Sequence, residues 1–186
     1  MKELNIHLGC WHRNIPGFVN VDLCDMEHID YKSNIDDLSM FDDESVSLIY
    51  SSHSFEYFNR QKAVEVLIEW SRVLKPRGVL RLAVPDLDSL ISVYQKTNQL
   101  EKILGPLYGK MDVDTPNGKK TLYHKTVYNF DSLSKILNEN GFLDVKRYDW
   151  KNTVHKDYDD HSQAYFPHMD KESGILISLN VEAIKV

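Results

Sequence analysis

One stretch constrains the fold of this chain more than any other: LIEWSRVLKPRGVLRLAVPD, residues 67–86. Its first part completes an apolar pattern, Ala63, Val64, Val66, Leu67, Ile68, Trp70, Val73 and Leu74, which predicts an amphipathic helix over Gln61–Leu74 ended by Pro76 and Gly78. Its second part, Val79–Val84, is a short run rich in Val and Leu that reads as a buried strand. A strand apolar on successive residues needs cover on both faces, and helices in alternation with such strands supply it. The expectation is therefore an α/β fold built on a mostly parallel sheet.

Further strands are expected at Leu4–Leu8, Phe18–Val21, Val46–Ser51, Asp144–Tyr148 and Ile175–Ile184. A second helix should begin near Pro85 and Asp86, with Leu87, Leu90, Ile91 and Tyr94 on one face and Asp86 or Asp88 as cap. A third should run from Asp131, the expected N-cap, to Gly141. No crossover helix separates the last two strands, so the final one is expected to be antiparallel. Gly105–Tyr128 and Trp150–Ser173 fit no regular element and are expected to form lid or binding loops. No Pro/Gly-rich linker divides the sequence, so residues 1–186 are read as one domain.

Charge narrows the choice of partner. The net charge is -6, and no clustered Lys/Arg stripe offsets it, so a nucleic-acid partner is not expected. Cys10 and Cys24 show neither a CxxC spacing nor a disulfide framework, which favours a reducing compartment. The N-terminal MKELNIHLGCW is interrupted by Asn5 and His7 and lacks a signal-peptide core, and no apolar run is long enough for a membrane helix. A cytoplasmic protein acting on a small molecule, without membrane attachment, is the expectation.

The first strand ends in Leu8-Gly9-Cys10, and the second ends in Asp22. A glycine there lets the backbone approach a ligand, and an acid at the second strand's end can accept both hydroxyl hydrogens of a ribose. The competing reading is a tight turn with a capping carboxylate. A nicotinamide cofactor would also suit the acid, but the GxGxxG that accompanies it is missing. Downstream, Asn34-Ile35-Asp36-Asp37-Leu38, SLIYSSHSFEYF over Ser47–Phe58, and RVLKPRGVLRLAVPD follow in order.

On these segments the chain resembles the type 11 S-adenosylmethionine-dependent methyltransferases of class I, particularly small bacterial members associated with glycan biosynthesis. The resemblance implies a three-layer, Rossmann-like α/β sandwich with a seven-stranded, mostly parallel sheet whose last strand is antiparallel. It implies S-adenosylmethionine as cofactor, with Gly9, Cys10 and Trp11 near its methionine end and Asp22 on the ribose. Asn34 and the Ile35 backbone would meet the adenine, and Ser51, Ser52 and His53 would border the cleft shared with the acceptor. His53 and His124 are the candidate bases, each weighed against a purely local structural role. The acceptor implied is a small molecule, with a sugar or nucleotide sugar preferred; the alternative is a catalytically weak or non-catalytic protein on the same fold.

The sequence departs from the family's pattern at identifiable places. Trp11 occupies the second glycine of the usual G-C-G, Asn34 replaces a commoner Asp, and Arg77 replaces the first glycine of R-V-L-K-P-G-G. The interval from Gly9 to Asp22 is too short for a strand, a turn and a full helix, so a truncated first helix is expected. The late loop, with His155, His161 and His168 among several aspartates, reads as a solvated acidic loop rather than a zinc site. Tyr123, Tyr128, Tyr165 and Phe166 are candidates either for stacking on a ligand or for packing the loops.

Overall fold

A computed structural model describes residues 3–115 and 118–186. In chain order, strands β1 (Asn5–Leu8), β2 (Phe18–Asp22), β3 (Tyr31–Lys32) and β4 (Val46–Ser52) precede helix α1 (Arg60–Val73) and strand β5 (Leu74–Pro85). Helices α2 (Leu87–Thr97) and α3 (Glu101–Tyr108) and strands β6 (Met111–Thr115) and β7 (Gly118–Leu122) follow. Helix α4 (Phe130–Glu139) and strands β8 (Phe142–Arg147), β9 (Tyr165–Phe166), β10 (Ile175–Leu176) and β11 (Ser178–Lys185) complete the order.

Seven strands form the main sheet in the order β3-β2-β1-β4-β5-β11-β8. The pairs β1–β2, β1–β4, β4–β5 and β2–β3 are parallel, whereas β11 is antiparallel to both β5 and β8. The last strand is therefore the one reversed member of a Rossmann-like sheet, inserted between β5 and β8. The expected strand Ile175–Ile184 is split at Ile177: β10 pairs with β9, and only β11 joins the main sheet.

Helix α1 starts at Asn59, whose side chain accepts from the Lys62 N–H at 2.8 Å, and it buries Ala63, Val66, Leu67, Trp70 and Val73. These join Ile6, Leu8, Ile49, Leu80 and Leu82 from the sheet in the main core. The helix ends where Leu74 turns extended ahead of Pro76. In the turn that follows, Arg77 takes φ +67°, the left-handed conformation that a glycine adopts at no steric cost. Gly78 is needed for space, because a Cβ there would lie 2.8 Å from the Lys75 carbonyl oxygen.

Asp86 caps α2, its Oδ1 accepting from the Asp88 N–H at 3.2 Å. The N-cap of α4 is Asn129, not Asp131. Asn129 and Ser132 form a reciprocal capping box, which satisfies two backbone N–H groups and leaves Asp131 in the first turn. Gly141, beyond the helix end, has φ +83°.

Two expectations about irregular segments are corrected. Gly105–Tyr128 is not a loop: it begins inside α3 and continues as the antiparallel hairpin β6–β7, with Val113 paired to Lys120 and Met111 to Leu122. The alternation of Met111-Asp112-Val113-Asp114 carried that signal. The late loop is not simply solvated, because His155, Asp160, Ser162 and Gln163 are buried.

The reason lies between β1 and β2. Residues 9–17 hold turns and no helix at all, so the truncated helix expected there is absent. The late segment occupies the neighbouring sheet surface instead. His155 stacks on Tyr50 of β4 with centroids 4.0 Å apart, and Tyr50 stacks on His7 of β1 at 5.0 Å. The Tyr50 hydroxyl donates to Asp160, and the Arg13 Nε–H donates to the Asp159 carbonyl at 2.6 Å. Ile15, Phe18 and Tyr50 form a small core of their own, with Tyr158 packed against it.

Candidate functional site

Where β1, β2 and β4 end, the chain encloses a cavity of about 620 Å³. That is the carboxyl edge at which open α/β sheets bind ligands. Met111, Val113, Lys120 and Leu122 of the hairpin form another wall, and Asp160, His161 and Tyr165 of the late segment a third.

Of the residues expected at the site, Gly9, Cys10, Trp11, Asp22, Asn34, Ile35, Ser52, His53 and His124 line this cavity. Ser51 does not. It is completely buried one residue further from the strand end, and its hydroxyl has no hydrogen-bond partner.

Gly9 adopts φ +67°, and its N–H donates to the Val21 carbonyl at 2.9 Å. A Cβ at this position would stand 2.1 Å from Ser54 Oγ, so its missing side chain accommodates Ser54 rather than open cavity. Trp11 also lies in the left-handed region, at φ +44°, a conformation that glycine adopts at no steric cost. Its N–H donates to Asp22 Oδ2 at 2.8 Å, and its carbonyl accepts from the His28 ring at 2.7 Å.

The second Asp22 oxygen accepts from the Cys24 N–H at 2.8 Å. Two backbone donors thus aim the carboxylate, and each of its oxygens keeps a lone pair for a ligand hydroxyl. Asn34 is exposed on the rim, and the Ile35 carbonyl is held by the Trp70 indole N–H at 2.7 Å. Burial, followed by the neighbouring Asp22 charge, raises the Cys10 thiol and brings the Cys24 thiol up to about 12, so neither is a reactive thiolate.

His53 and His124 converge on a residue that the sequence reading did not single out. Glu56 lies in a 3-10 turn, Phe55–Tyr57, and is completely buried, with neither carboxyl oxygen hydrogen-bonded. Its Oε1 is 3.6 Å from His53 Nδ1 and 3.5 Å from His124 Nε2. Burial pushes the Glu56 carboxyl up to about 8. Burial also holds His53 well below the usual histidine range, assisted by His161 and His124, and it lowers His124.

The candidate stacking residues separate. Tyr165 lines the cavity, whereas Tyr128 is buried against Phe55, Phe166 packs with Leu90 and Val93, and Tyr123 is exposed. Among the described residues no group of three His, Cys, Asp or Glu side chains is arranged to hold a metal ion. No helix among them is long and apolar enough to cross a membrane.

Sheet order, the reversed last strand and the cavity at the strand ends define the Rossmann-like methyltransferase fold, and the comparisons with known proteins agree. A methyltransferase-domain family model matches residues 17–82, from just before β2 into β5. The loop carrying Gly9 and Trp11 lies outside that match. A search of curated proteins finds no match.

Among solved structures, a SAM-dependent methyltransferase from Archaeoglobus fulgidus is similar with a TM-score of 0.57 at 16% identity, over 98% of this chain and 86% of that one. An S-adenosylmethionine-dependent methyltransferase from Mesorhizobium loti has a TM-score of 0.55 at 13% identity, over 99% and 91%. The 1,6-didemethyltoxoflavin-N1-methyltransferase of Burkholderia thailandensis, solved with bound 1,6-didemethyltoxoflavin and S-adenosylhomocysteine, has a TM-score of 0.54 at 13% identity, over 98% and 71%. At these identities the neighbours show the fold, and the family model agrees with it over residues 17–82.

Proposed function

We propose that this chain binds S-adenosylmethionine along the ends of β1, β2 and β4 and transfers its methyl group to a small-molecule acceptor. The observation that carries the reading is the Asp22 carboxylate, aimed by two backbone N–H groups and opening into a cavity that also reaches Gly9, Asn34, Ile35 and His53.

The residues present fit the cofactor. Asp22 would accept ribose hydroxyls, Asn34 and the Ile35 backbone would meet the adenine, and Gly9 to Trp11 would border the methionine end. When bound, the cofactor supplies an electrophilic methyl group. The chain's part is chiefly to hold the acceptor in line and to exclude water, for which the hairpin and late segment form the walls.

A sugar or nucleotide sugar is the acceptor class we put first, supported by Tyr57 and Tyr165 in the lining beside Lys110, Lys120 and Gln163. A second reading, a weakly catalytic or non-catalytic protein on this fold, draws on Trp11, which carries an indole where the family keeps a bare glycine.

Calorimetry with S-adenosylmethionine and S-adenosylhomocysteine tests the binding. Transfer of labelled methyl to a panel of nucleotide sugars, free sugars, tRNA and cell protein tests the acceptor. Labelling confined to tRNA or protein would overturn the small-molecule reading, and cofactor binding with no labelling anywhere would favour the non-catalytic one.

A further inference from the structure

The hydrogen bonds around His53 and His124 fix which nitrogen of each ring carries the proton. His124 Nδ1 lies 2.9 Å from the Pro106 carbonyl oxygen. A carbonyl only accepts, so the proton of the neutral ring sits on Nδ1 and the lone pair on Nε2.

The His53 proton is fixed through Asn180. The Asn180 amide nitrogen donates to the Ser162 carbonyl at 2.8 Å, which leaves Asn180 Oδ1 as an acceptor. The Ser178 hydroxyl, 3.0 Å away, spends its one hydrogen on that oxygen. Ser178 Oγ can then only accept from His53 Nε2, also at 3.0 Å, so the His53 proton is on Nε2 and its lone pair on Nδ1.

Both lone pairs face the same atom, Glu56 Oε1, at 3.6 and 3.5 Å. Neither distance is a hydrogen bond; what they establish is that three acceptor atoms meet in a buried place. An ionised carboxylate there would confront two lone pairs with no donor, a costly arrangement.

We propose that Glu56 is a positioning residue: as a neutral carboxylic acid it holds one proton between His53 and His124, and so fixes both imidazoles on the cavity wall. The groups facing it agree. Tyr57 and Tyr128 stand near the carboxyl as neutral phenols, each raised chiefly by burial, and supply no positive charge to an anion, and His161 lies beyond His53 with ring centroids 5.1 Å apart. Among the described residues no Lys or Arg forms an ion pair with Glu56. The Lys125 and Thr126 N–H groups donate to its backbone carbonyl, not to its side chain.

The inference rests on hydrogen-bond geometry and does not require the methyl-transfer reading. It is tested by nuclear magnetic resonance on protein labelled at glutamate carboxyls and histidine ring nitrogens, as the full chain and as Glu56→Gln and Glu56→Ala.

At about pH 6, well above an ordinary glutamate pKa, the Glu56 carbon should report a neutral acid, His53 the Nε2–H tautomer and His124 the Nδ1–H tautomer. Glu56→Gln should preserve both tautomers and both ring positions, since its amide donates to the same nitrogens, whereas Glu56→Ala should keep the tautomers that Pro106 and Ser178 fix but loosen the rings, read as broadened or shifted ring-nitrogen resonances. An ionised Glu56 at that pH, or either ring protonated on the nitrogen facing it, would overturn the proposal. If Glu56→Ala does not fold, the wild-type and Glu56→Gln spectra decide. S-adenosylhomocysteine titrated into the same samples is a separate readout: failure to bind counts against the proposed function and leaves the tautomers to judge this inference.

Discussion

The backbone N–H of Trp11 donates to the Asp22 carboxylate at 2.8 Å, tying the turn after β1 to the end of β2 in the space where a helix is missing. The same carboxylate holds the Cys24 N–H. Replacing Asp22 with Ala should therefore weaken S-adenosylmethionine binding by about 1.5–3 kcal/mol, the range for lost hydrogen bonds to a charged group. Calorimetry on protein shown to be folded by circular dichroism measures it. Affinity equal to wild type in a folded Asp22→Ala protein would remove Asp22 from the site.

Trp11 carries a side chain at φ +44°, a conformation that costs most residues roughly 1–2 kcal/mol and glycine almost nothing. Trp11→Gly keeps the N–H that bonds Asp22 and relieves that strain. It should raise stability by up to about 1 kcal/mol, because part of the relief is offset by the freedom glycine gains when unfolded. It should also tighten cofactor binding, since the indole lines the cavity. Clear loss of affinity would show instead that the indole contacts the ligand.

Much of the fold was legible because it is written in local patterns. The periodicity of Ala63 to Leu74 and the apolar run Val79–Val84 specify α1 and β5, and the short interval between Gly9 and Asp22 announces the deficit after β1. What covers that deficit was not legible. Tyr50 and His155 are far apart in sequence, and a histidine among aspartates reads as solvated until the stacking partner is known. Glu56 escaped for a related reason: it sits in a single 3-10 turn with no periodicity, and its importance comes from His53, three residues before it, meeting His124 from a distant segment.

Gly9 and Ser54 form a packed pair that a double-mutant cycle can measure. A Cβ on Gly9 would lie 2.1 Å from Ser54 Oγ and 2.7 Å from Ser54 Cβ, on a backbone at φ +67°. Gly9→Ala should cost about 2–5 kcal/mol, from the backbone conformation and the overlap together. Ser54→Gly removes both overlapping atoms, so in that background Gly9→Ala should cost only about 1–2 kcal/mol. Chemical denaturation of the four proteins gives the coupling, and strictly additive effects would mean that Ser54 moves aside freely.

The buried ionisable groups set the pH of greatest stability, and their signs oppose one another. Burial, then the neighbouring His155, lowers His7 to about 3; burial, then Arg81, lowers His155 to about 4. Below about pH 6.5, the ordinary histidine value, the unfolded chain takes up protons that these folded histidines refuse. Stability therefore falls as pH drops from there toward their folded values. Glu56 acts the other way: its folded pKa of about 8 exceeds the value of 4.5 it starts from, so its contribution is present below 4.5 and is lost as pH rises through about 8. The histidines outnumber the glutamate on the acid side and stop titrating near 6.5, which places the optimum for these groups near about pH 6.5. His155→Phe keeps a ring on Tyr50 and discards two nitrogens that have no partner, so it should flatten the acid limb by on the order of 2–3 kcal/mol at low pH. Each kcal/mol corresponds to about 2–4 °C in Tm for a chain of this length. Glu56→Gln should flatten the alkaline limb and steepen the acid limb between about pH 4.5 and 6.5, where the glutamate had opposed the histidines. Thermal melts across the range decide it: an unchanged acid limb in folded His155→Phe, or an unchanged alkaline limb in Glu56→Gln, would refute the corresponding assignment.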